Sequence, residues 1–218
     1  MTIIIYNVKQ NPEKLEEIEM KVSREKAAEN RERILKVAAR LFREKGFDGI
    51  GVADLMKSAG LTHGGFYGHF SSKEDLMAQA CALALNQSLN KWRRIADRAP
   101  DNPLSAITRS YLSTQHRDEP GRGCTLTALG SDVSRQAAPV REKITEGVRS
   151  IVEFLSGLIP AKAKAAKREK ALASFAAMVG AIVLSRAVDD AELSQEILEA
   201  VLISISKQTA TKLDTANS

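Results

Sequence analysis

Residues 62–73 combine small, aromatic and basic residues in a pattern suited to contact with a nucleic-acid backbone. Three glycines lie close together there, at Gly64, Gly65 and Gly68. Each glycine in a helix interior costs about 1 kcal/mol relative to alanine, so their concentration indicates that this backbone approaches another molecule closely. Three side chains of the same stretch have polar tips that can reach phosphate oxygens, Tyr67, His69 and Lys73.

The rest of the chain offers little for catalysis. Of its three histidines, His63 and His69 lie in this same stretch, and its two cysteines are Cys81 and Cys124. The sequence contains no phosphate-binding loop, no Ser/His/Asp order and no cluster with metal-ligand spacing. We therefore expect no catalytic residue, no metal and no cofactor. An enzyme is the second hypothesis, and turnover of a substrate by the isolated protein would support it.

Composition sets the broad class. The chain has 218 residues, 44% of them hydrophobic, and a formal net charge of +5 that is not concentrated near the glycine-rich stretch. The longest uncharged apolar segment, Ala171–Leu184, is shorter than the roughly 18 residues of a membrane span. Met1–Val8 lacks the basic lead of a signal peptide. With only two cysteines, the composition fits a reducing compartment, and we expect a cytoplasmic protein without membrane contact.

Apolar residues recur at helical spacing along nearly the whole chain, and strand-like residues are confined to positions 2–5. The pattern predicts an all-α protein of about nine helices. These run from about Arg24 to Lys45, around 52–59, from Thr62 onward, from a capping box at Ser71–Glu74 to about Ala96, then over Pro103–His116, Cys124–Leu129, Pro139–Leu158, Ala161–Val188 and Ala191–Lys207.

The second and third predicted helices are separated only by Gly60-Leu61-Thr62. That spacing is typical of a helix-turn-helix, whose second helix enters the major groove of DNA. We expect the Thr62 hydroxyl to cap the third predicted helix, the second of the helix-turn-helix. Phe66 and Phe70 should face the protein core.

The residues from Ala59 to Leu76, with Gly46-Phe47 and Val52-Ala53-Asp54-Leu55, resemble the N-terminal domain of the TetR (tetracycline-repressor-like) regulators. The resemblance covers about residues 24–76, and its run Gly-Phe-Tyr-Gly-His-Phe-Ser-Ser-Lys-Glu is specific to that family. TetR-like proteins are all-α homodimers that bind palindromic operators and release them when a small molecule enters the C-terminal domain. The resemblance thus implies a ligand-released repressor whose partners are double-stranded DNA, a second copy of itself and a small-molecule inducer.

The resemblance also implies a domain division and a set of DNA-binding residues. Residues 1–22 would be a flexible extension (Met20 is an alternative start), 23–76 the helix-turn-helix domain, and 77–218 the ligand-binding and dimerisation domain. The implied DNA-binding residues are Thr62, His63, Gly64, Gly65, Tyr67, Gly68, His69 and Lys73. Alternatives remain: Tyr67 as a core aromatic and His69 as a cation at a helix end. The chain departs from the family at Ile50-Gly51, where a Thr or Ser usually begins the second helix.

The segment Ala171–Leu184 is apolar on nearly all sides, and the last helix adds an apolar stripe. A two-fold interface of four helices would bury both, although they could instead complete the protomer core. A separate alternative for the whole protein is a DNA-bound adaptor, whose body would contact another protein rather than a small molecule through an apolar patch beyond the dimer face. The predicted interface residues are Ala173, Ala177, Gly180, Ala181, Leu193, Ile197, Val201 and Ile205.

The inducer pocket is the least defined feature of the sequence. Candidate lining residues are Trp92, Tyr111, Cys124, Phe154, Phe175 and Met178, each of which could equally be plain core. His116 is expected at a helix end on the surface. Cys124, at a predicted helix start, could be an oxidant- or electrophile-sensing thiol, with a small buried apolar side chain as the alternative for both cysteines.

Overall fold

The computed structural model describes the backbone of residues 12–210 and the side chains of residues 20, 21 and 23–207. Within that range the chain forms nine α-helices and two 3-10 turns without any strand, so the all-α prediction is confirmed. The strand-like residues 2–5 and the first half of the predicted extension lie outside the described residues. The helices are α1 (Pro12–Lys45), α2 (Val52–Ser58), α3 (Lys73–Arg98), α4 (Pro103–Tyr111), α5 (Thr114–Asp118), α6 (Thr125–Val133), α7 (Ala138–Leu158), α8 (Lys164–Ala187) and α9 (Ala191–Ala210).

Helix α1 begins at Pro12, well before the predicted start near Arg24. The prediction followed apolar periodicity, whereas residues 20, 21 and 23–29 are exposed and offer no apolar face. The sequence there is nevertheless rich in Glu, Lys and other strong helix formers, and proline is favourable in a first helical turn. Periodicity therefore located the packed half of the helix and missed its solvated half.

Helix α3 lies at the centre of the molecule, packed against α1 on one side and α7 on the other. Its buried residues recur at helical spacing along its whole length, from Leu76 through Leu85 to Trp92. The helix therefore runs from the glycine-rich stretch at its beginning to the interior of the body. A displacement of α3 would therefore move both the glycine-rich stretch at its start and the packed residues of the body at its other end.

The predicted helix Pro103–His116 is wrong in its second half, because the chain breaks into α4 and α5. The Ser113 hydroxyl accepts a hydrogen bond from the His116 backbone N–H (3.2 Å), which starts a new helix. A 3-10 turn at Pro120–Arg122 then leads into α6. Two direction changes within a dozen residues bring this segment against α1, α3 and α8.

Helices α8 and α9 pack against each other at the other side of the body. One face of α8 is buried among protomer residues such as Phe175, Met178 and Ile182, while Leu172, Val183 and Leu184 remain exposed. Helix α8 is also long and apolar enough, by length and composition, to cross a membrane, with 39% of its apolar window buried. The core helix of a helical protein meets the same criterion.

Candidate functional site

A tight turn joins α2 to the glycine-rich stretch. Gly60 adopts a left-handed conformation (φ +69°) after the last turn of α2. The N–H of Leu61 donates to the Met56 carbonyl oxygen (2.9 Å) and that of Gly60 to the Lys57 carbonyl oxygen (3.0 Å). This pair of bonds is the Schellman arrangement, which glycine makes possible without a Cβ penalty. It fixes the angle at which the chain leaves α2.

The segment His63–Gly68, called here the recognition turn, is a 3-10 helix rather than the predicted α-helix. Its backbone bonds span three residues, with the Gly65 N–H donating to the Thr62 carbonyl oxygen at 3.1 Å. The prediction that the Thr62 hydroxyl caps it is wrong, since no such bond forms. Glycine is a poor α-helix former, which is consistent with the tighter turn.

Two phenylalanines hold the recognition turn on the protein, as predicted. Phe66 and Phe70 are 1% and 2% exposed, and their rings stack at 5.7 Å between centroids. The guanidinium of Arg31 on α1 lies 5.0 Å from the Phe70 ring centroid, a cation–π distance. Arg31 also donates to the Gln79 side chain on α3. The turn is thus tied to both neighbouring helices.

The predicted DNA-binding residues all lie on or beside this turn. Tyr67 is 70% exposed, which contradicts the core-aromatic alternative for it. Thr62, His63, Gly64, Gly65 and Gly68 are exposed as well, while His69 and Lys73 are half-buried. The structure therefore brings the eight residues together on one short segment with an open outer surface.

The glycines of the recognition turn are not required by the protein's own packing. None of Gly64, Gly65 and Gly68 has a positive φ. A Cβ at Gly64 or Gly68 would meet nothing within 4 Å, and at Gly65 it would make only ordinary contacts at 3.8 Å. Contacts within the described protomer therefore do not explain why three exposed glycines occur in this turn.

The start of α3 is rigidly capped, one residue later than predicted. The Ser72 hydroxyl accepts from the Asp75 N–H (3.1 Å), and the Asp75 carboxylate in turn accepts from the N–H and hydroxyl of Ser71 (3.1 Å each). A hydrogen bond from Gln79, more than any other contact, lowers the pKa of Asp75. The first amides of α3, next to Lys73, form a fixed positive end suited to an anion.

A second candidate site lies in the body. Three of the six predicted pocket residues, Trp92, Tyr111 and Cys124, line one cavity of about 30 Å³. A cleft of about 310 Å³ adjoins it and shares Lys91 and His116 with it. The other three line neither space: Phe175 contacts the far edge of Trp92 (5.9 Å), Met178 is buried core, and Phe154 is half-buried.

The prediction that His116 is a surface residue is wrong. Its Nδ1 lies 2.7 Å from the Tyr111 carbonyl oxygen and its Nε2 2.8 Å from the Cys124 backbone nitrogen. The neutral ring thus donates through Nδ1 and accepts at Nε2. Burial lowers the pKa of His116 to about 4. The Ser113 cap and the glycine at position 123, whose Cβ would lie 2.7 Å from the ring, are the sequence signals that were missed.

The cavity wall is connected to the helix-turn-helix. Arg43 of α1 donates from Nε (3.1 Å) and Nη2 (2.6 Å) to the carbonyl oxygen of Gly121. Gly121 stands two residues before Gly123, which lines the cavity. On the other side, Arg186 of α8 donates to the His116 carbonyl oxygen (2.6 Å). One short segment therefore contacts α1, the cavity and α8.

Both cysteines are free and buried, in keeping with small apolar side chains. Burial raises the pKa of the Cys81 thiol to about 12, so that this side chain is a neutral thiol at neutral pH. Cys124 precedes α6 and its backbone N–H is already engaged by His116.

The segment that contains the recognition turn is similar to known proteins. The family model of bacterial regulatory proteins of the tetR family matches residues 34–80. The HTH-type transcriptional regulator YerO of Bacillus subtilis is 33% identical over 90 residues, which cover 41% of this chain and 31% of YerO. The HTH-type transcriptional repressor NemR of Escherichia coli is 25% identical over 131 residues, covering 59% of this chain and 66% of NemR. The helix-turn-helix segment of this chain is therefore similar to that of TetR-family regulators.

The likeness to solved structures extends the TetR fold to the body. The reduced form of Escherichia coli NemR has a TM-score of 0.67 at 22% identity and covers 84% of this chain and 99% of NemR. At this identity the likeness concerns the fold alone. The alignment with YerO spans less than a third of that regulator's length, and the match to the family model lies at residues 34–80.

The predicted interface residues differ in how exposed they are on the protomer. Leu193 is 42% exposed, Ala173 and Ala177 are exposed, and Gly180 is half-buried. Ile197 and Val201 are half-buried too, whereas Ala181 and Ile205 lie in the protomer's own core at 2% exposure. The exposed stripe of α8 instead includes three larger residues that the prediction missed, Leu172, Val183 and Leu184.

Proposed function

We propose that this chain is a transcriptional repressor that binds a palindromic DNA operator as a homodimer and is released by a small ligand. The recognition turn carries the proposal: its glycines are exposed, and the protomer gives no reason for them. A DNA backbone or base edge approaching closely supplies that reason. A cytoplasmic location belongs to the same proposal.

On the DNA side, the residues divide by what they can reach. Thr62, His63, Gly64 and Gly65 open the turn and would face base edges in the major groove. Tyr67, His69 and Lys73 would contact phosphates on either side, and Gly68 keeps the turn narrow between them. The capped first amides of α3 add an anion site beside Lys73.

The homodimer would form through α8 and α9. Their exposed apolar side chains, with the small residues Ala173, Ala177 and Gly180 between them, allow two helices of a partner to approach closely. A two-fold dimer presents two recognition turns to two half-sites, which is why operators of such proteins are palindromic.

Release would begin at the cavity and cleft of the body. A ligand seated there contacts Arg122, Gly123 and Cys124 directly. The adjoining Gly121 carbonyl oxygen holds Arg43 of α1. Displacing this segment would change the orientation of the helix-turn-helix relative to the body, and therefore the separation of the two recognition turns in the dimer.

The proposal is tested by selecting bound sequences from a random DNA pool with the full chain. We expect a palindrome whose half-sites are about one helical turn apart. On the selected DNA, Tyr67→Phe should weaken binding without lowering the unfolding temperature. Lys73→Ala should weaken binding to all sequences alike and reduce the salt slope by about one unit.

The matched control is Lys170→Ala, which removes an exposed lysine of α8 far from the recognition turn. It should leave affinity and salt slope unchanged. Failure to enrich any sequence, or equal effects of Lys73→Ala and Lys170→Ala, would refute a DNA-binding role for the recognition turn.

A further inference from the structure

The buried hydroxyl group of Tyr111 has no strong hydrogen-bond partner within the described part of the chain. Tyr111 is 4% exposed and lines the cavity. Within the described part of the chain its hydroxyl makes no well-formed hydrogen bond, and the neighbouring Cys124 thiol is only a weak hydrogen-bonding group. More than nine in ten buried polar groups are hydrogen-bonded in native proteins. A hydroxyl without a strong partner at a cavity wall therefore points to a group that enters from outside.

The surroundings of that hydroxyl determine what it can do. Burial, and next the nearby Cys124 thiol, raises the pKa of Tyr111 well above its ordinary value. The neutral phenol can therefore donate a hydrogen bond to an oxygen acceptor. The edge-on Trp92 ring, 5.6 Å away between centroids, closes the other side with apolar surface. The space of about 30 Å³ holds a single substituent oxygen rather than a whole ring or chain.

The cleft outside the cavity is positively charged at one point. Lys91 lines both spaces, and within the described residues no carboxylate lies within ion-pair distance of it. The other cation, Arg122, is paired with Glu119 (3.3 Å). His116 contributes no charge at neutral pH, since burial lowers its pKa to about 4. The unpaired ammonium of Lys91 is therefore the anion-seeking group of the cleft.

We propose that the cleft binds a small organic carboxylate whose carboxylate pairs with Lys91 and whose second oxygen enters the cavity and accepts the Tyr111 hydroxyl. A cleft of about 310 Å³ suits a ligand of that size. The inference rests on the proposed function, of which it specifies the inducer class.

A fragment panel tests this class directly. Small hydroxy- and keto-carboxylic acids, 4-hydroxybenzoate among them, are compared with their primary amides and with matched amines by isothermal titration and thermal shift on the full chain. Acids should bind and amides and amines should not. Tyr111→Phe should weaken acid binding about tenfold, and Lys91→Met about five- to tenfold, as expected for one lost hydrogen bond and one lost charged contact.

Matched controls separate this proposal from the DNA-binding one. Tyr67→Phe and Lys170→Met alter a tyrosine and a lysine elsewhere, and should leave acid binding unchanged. Tyr111→Phe and Lys91→Met should keep the affinity of the unliganded protein for the selected operator, because neither touches the recognition turn. Absence of any acid hit, equal binding of amides or amines, or acid binding unaffected by both variants would overturn the assignment. Failure of the unliganded wild-type protein to bind any selected operator would instead overturn the proposed function.

Discussion

Phe66 and Tyr67 are neighbours in the recognition turn, yet one side chain is 1% exposed and the other 70%. The 3-10 geometry directs the first ring into the core and the second toward solvent, 5.2 Å apart in an edge-to-face contact. The turn therefore combines an apolar anchor with an aromatic hydroxyl that no protomer group needs. An exposed aromatic ring such as that of Tyr67 is unfavourable in water. It is expected where a partner molecule covers the ring.

Gly65→Ala distinguishes a glycine kept for DNA from one kept for folding. Its Cβ would make only ordinary contacts with Met56 and Thr62. Because alanine restricts the unfolded chain, we expect the variant to be more stable by about 0.4–1 kcal/mol and to bind operator less tightly, measured by urea unfolding and fluorescence anisotropy. Gly157→Ala is the control: it is exposed on α7 with nothing within 4 Å, and should gain stability without losing affinity. Retained affinity in Gly65→Ala would refute close approach.

His116 predicts a pH-dependent stability. Its folded pKa of about 4 lies below the unfolded value near 6.5, so the unfolded state binds more protons between these values. Stability is then complete above pH 6.5 and is lost as the pH falls toward 4, by up to about 3 kcal/mol.

His116→Gln keeps a polar side chain and removes this titration. Urea unfolding from pH 7.5 to 4 should therefore show a smaller loss of stability in His116→Gln than in the wild type. His63→Gln, an exchange at an exposed position, should follow the wild-type curve. Parallel curves for all three proteins would show that His116 is not buried as a neutral ring.

At the scale of elements, the sequence predicts correctly those features that depend on neighbouring residues alone. Helix α7 begins at Ala138, next to the predicted Pro139, because proline in the first turn and a single apolar face are both local signals. The recognition turn was found for the same reason, since its glycines and aromatics are consecutive.

The cavity could not be found in this way. Trp92, Tyr111 and Cys124 come from three separate elements and meet only through tertiary packing. The position of the His116 ring depends on Ser113, which caps the start of α5, and on Gly123, which leaves room for the ring. Periodicity reports which face of a helix is apolar, and it contains no information on which helices face each other.

The bond from Arg43 to Gly121 gives a prediction about coupling between α1 and the cavity wall. Coupling is reciprocal, so operator binding should slow amide hydrogen exchange at residues 122–124 in the wild type. In Arg43→Met the operator should still bind, but this slowing should be lost because the guanidinium contact is absent. Hydrogen-exchange mass spectrometry with and without operator measures both.

Arg40→Met provides the matched control for that experiment. Arg40 lies on the same helix, one turn earlier, and among the described residues its guanidinium pairs with the exposed Glu44. It should preserve the operator-induced slowing. Equal slowing in Arg43→Met and Arg40→Met would mean that the two parts of the molecule communicate by another route, for example through α3.

At the scale of the whole molecule, α8 has two apolar sides and the protomer covers only one. Ala171, Phe175 and Ile182 are buried, whereas Leu172, Val183 and Leu184 are between 42% and 56% exposed. An apolar strip of this kind is rarely left in water. A second copy of α8 and α9 across a two-fold axis would cover it with the same residues.

Leu184→Glu tests this interface without disturbing the protomer core, because the leucine is 56% exposed. A carboxylate placed at the centre of an apolar contact would be buried without a partner. Sedimentation should then detect monomers. Affinity for the palindromic operator should fall by roughly 100-fold or more, since the two recognition turns no longer bind as one unit. Affinity for a single half-site should stay as in the wild type, which separates dissociation from misfolding.

Thr145→Glu introduces the same charge on the exposed side of α7 and should remain dimeric. A dimeric Leu184→Glu protein with unchanged operator affinity would place the two-fold interface on another face.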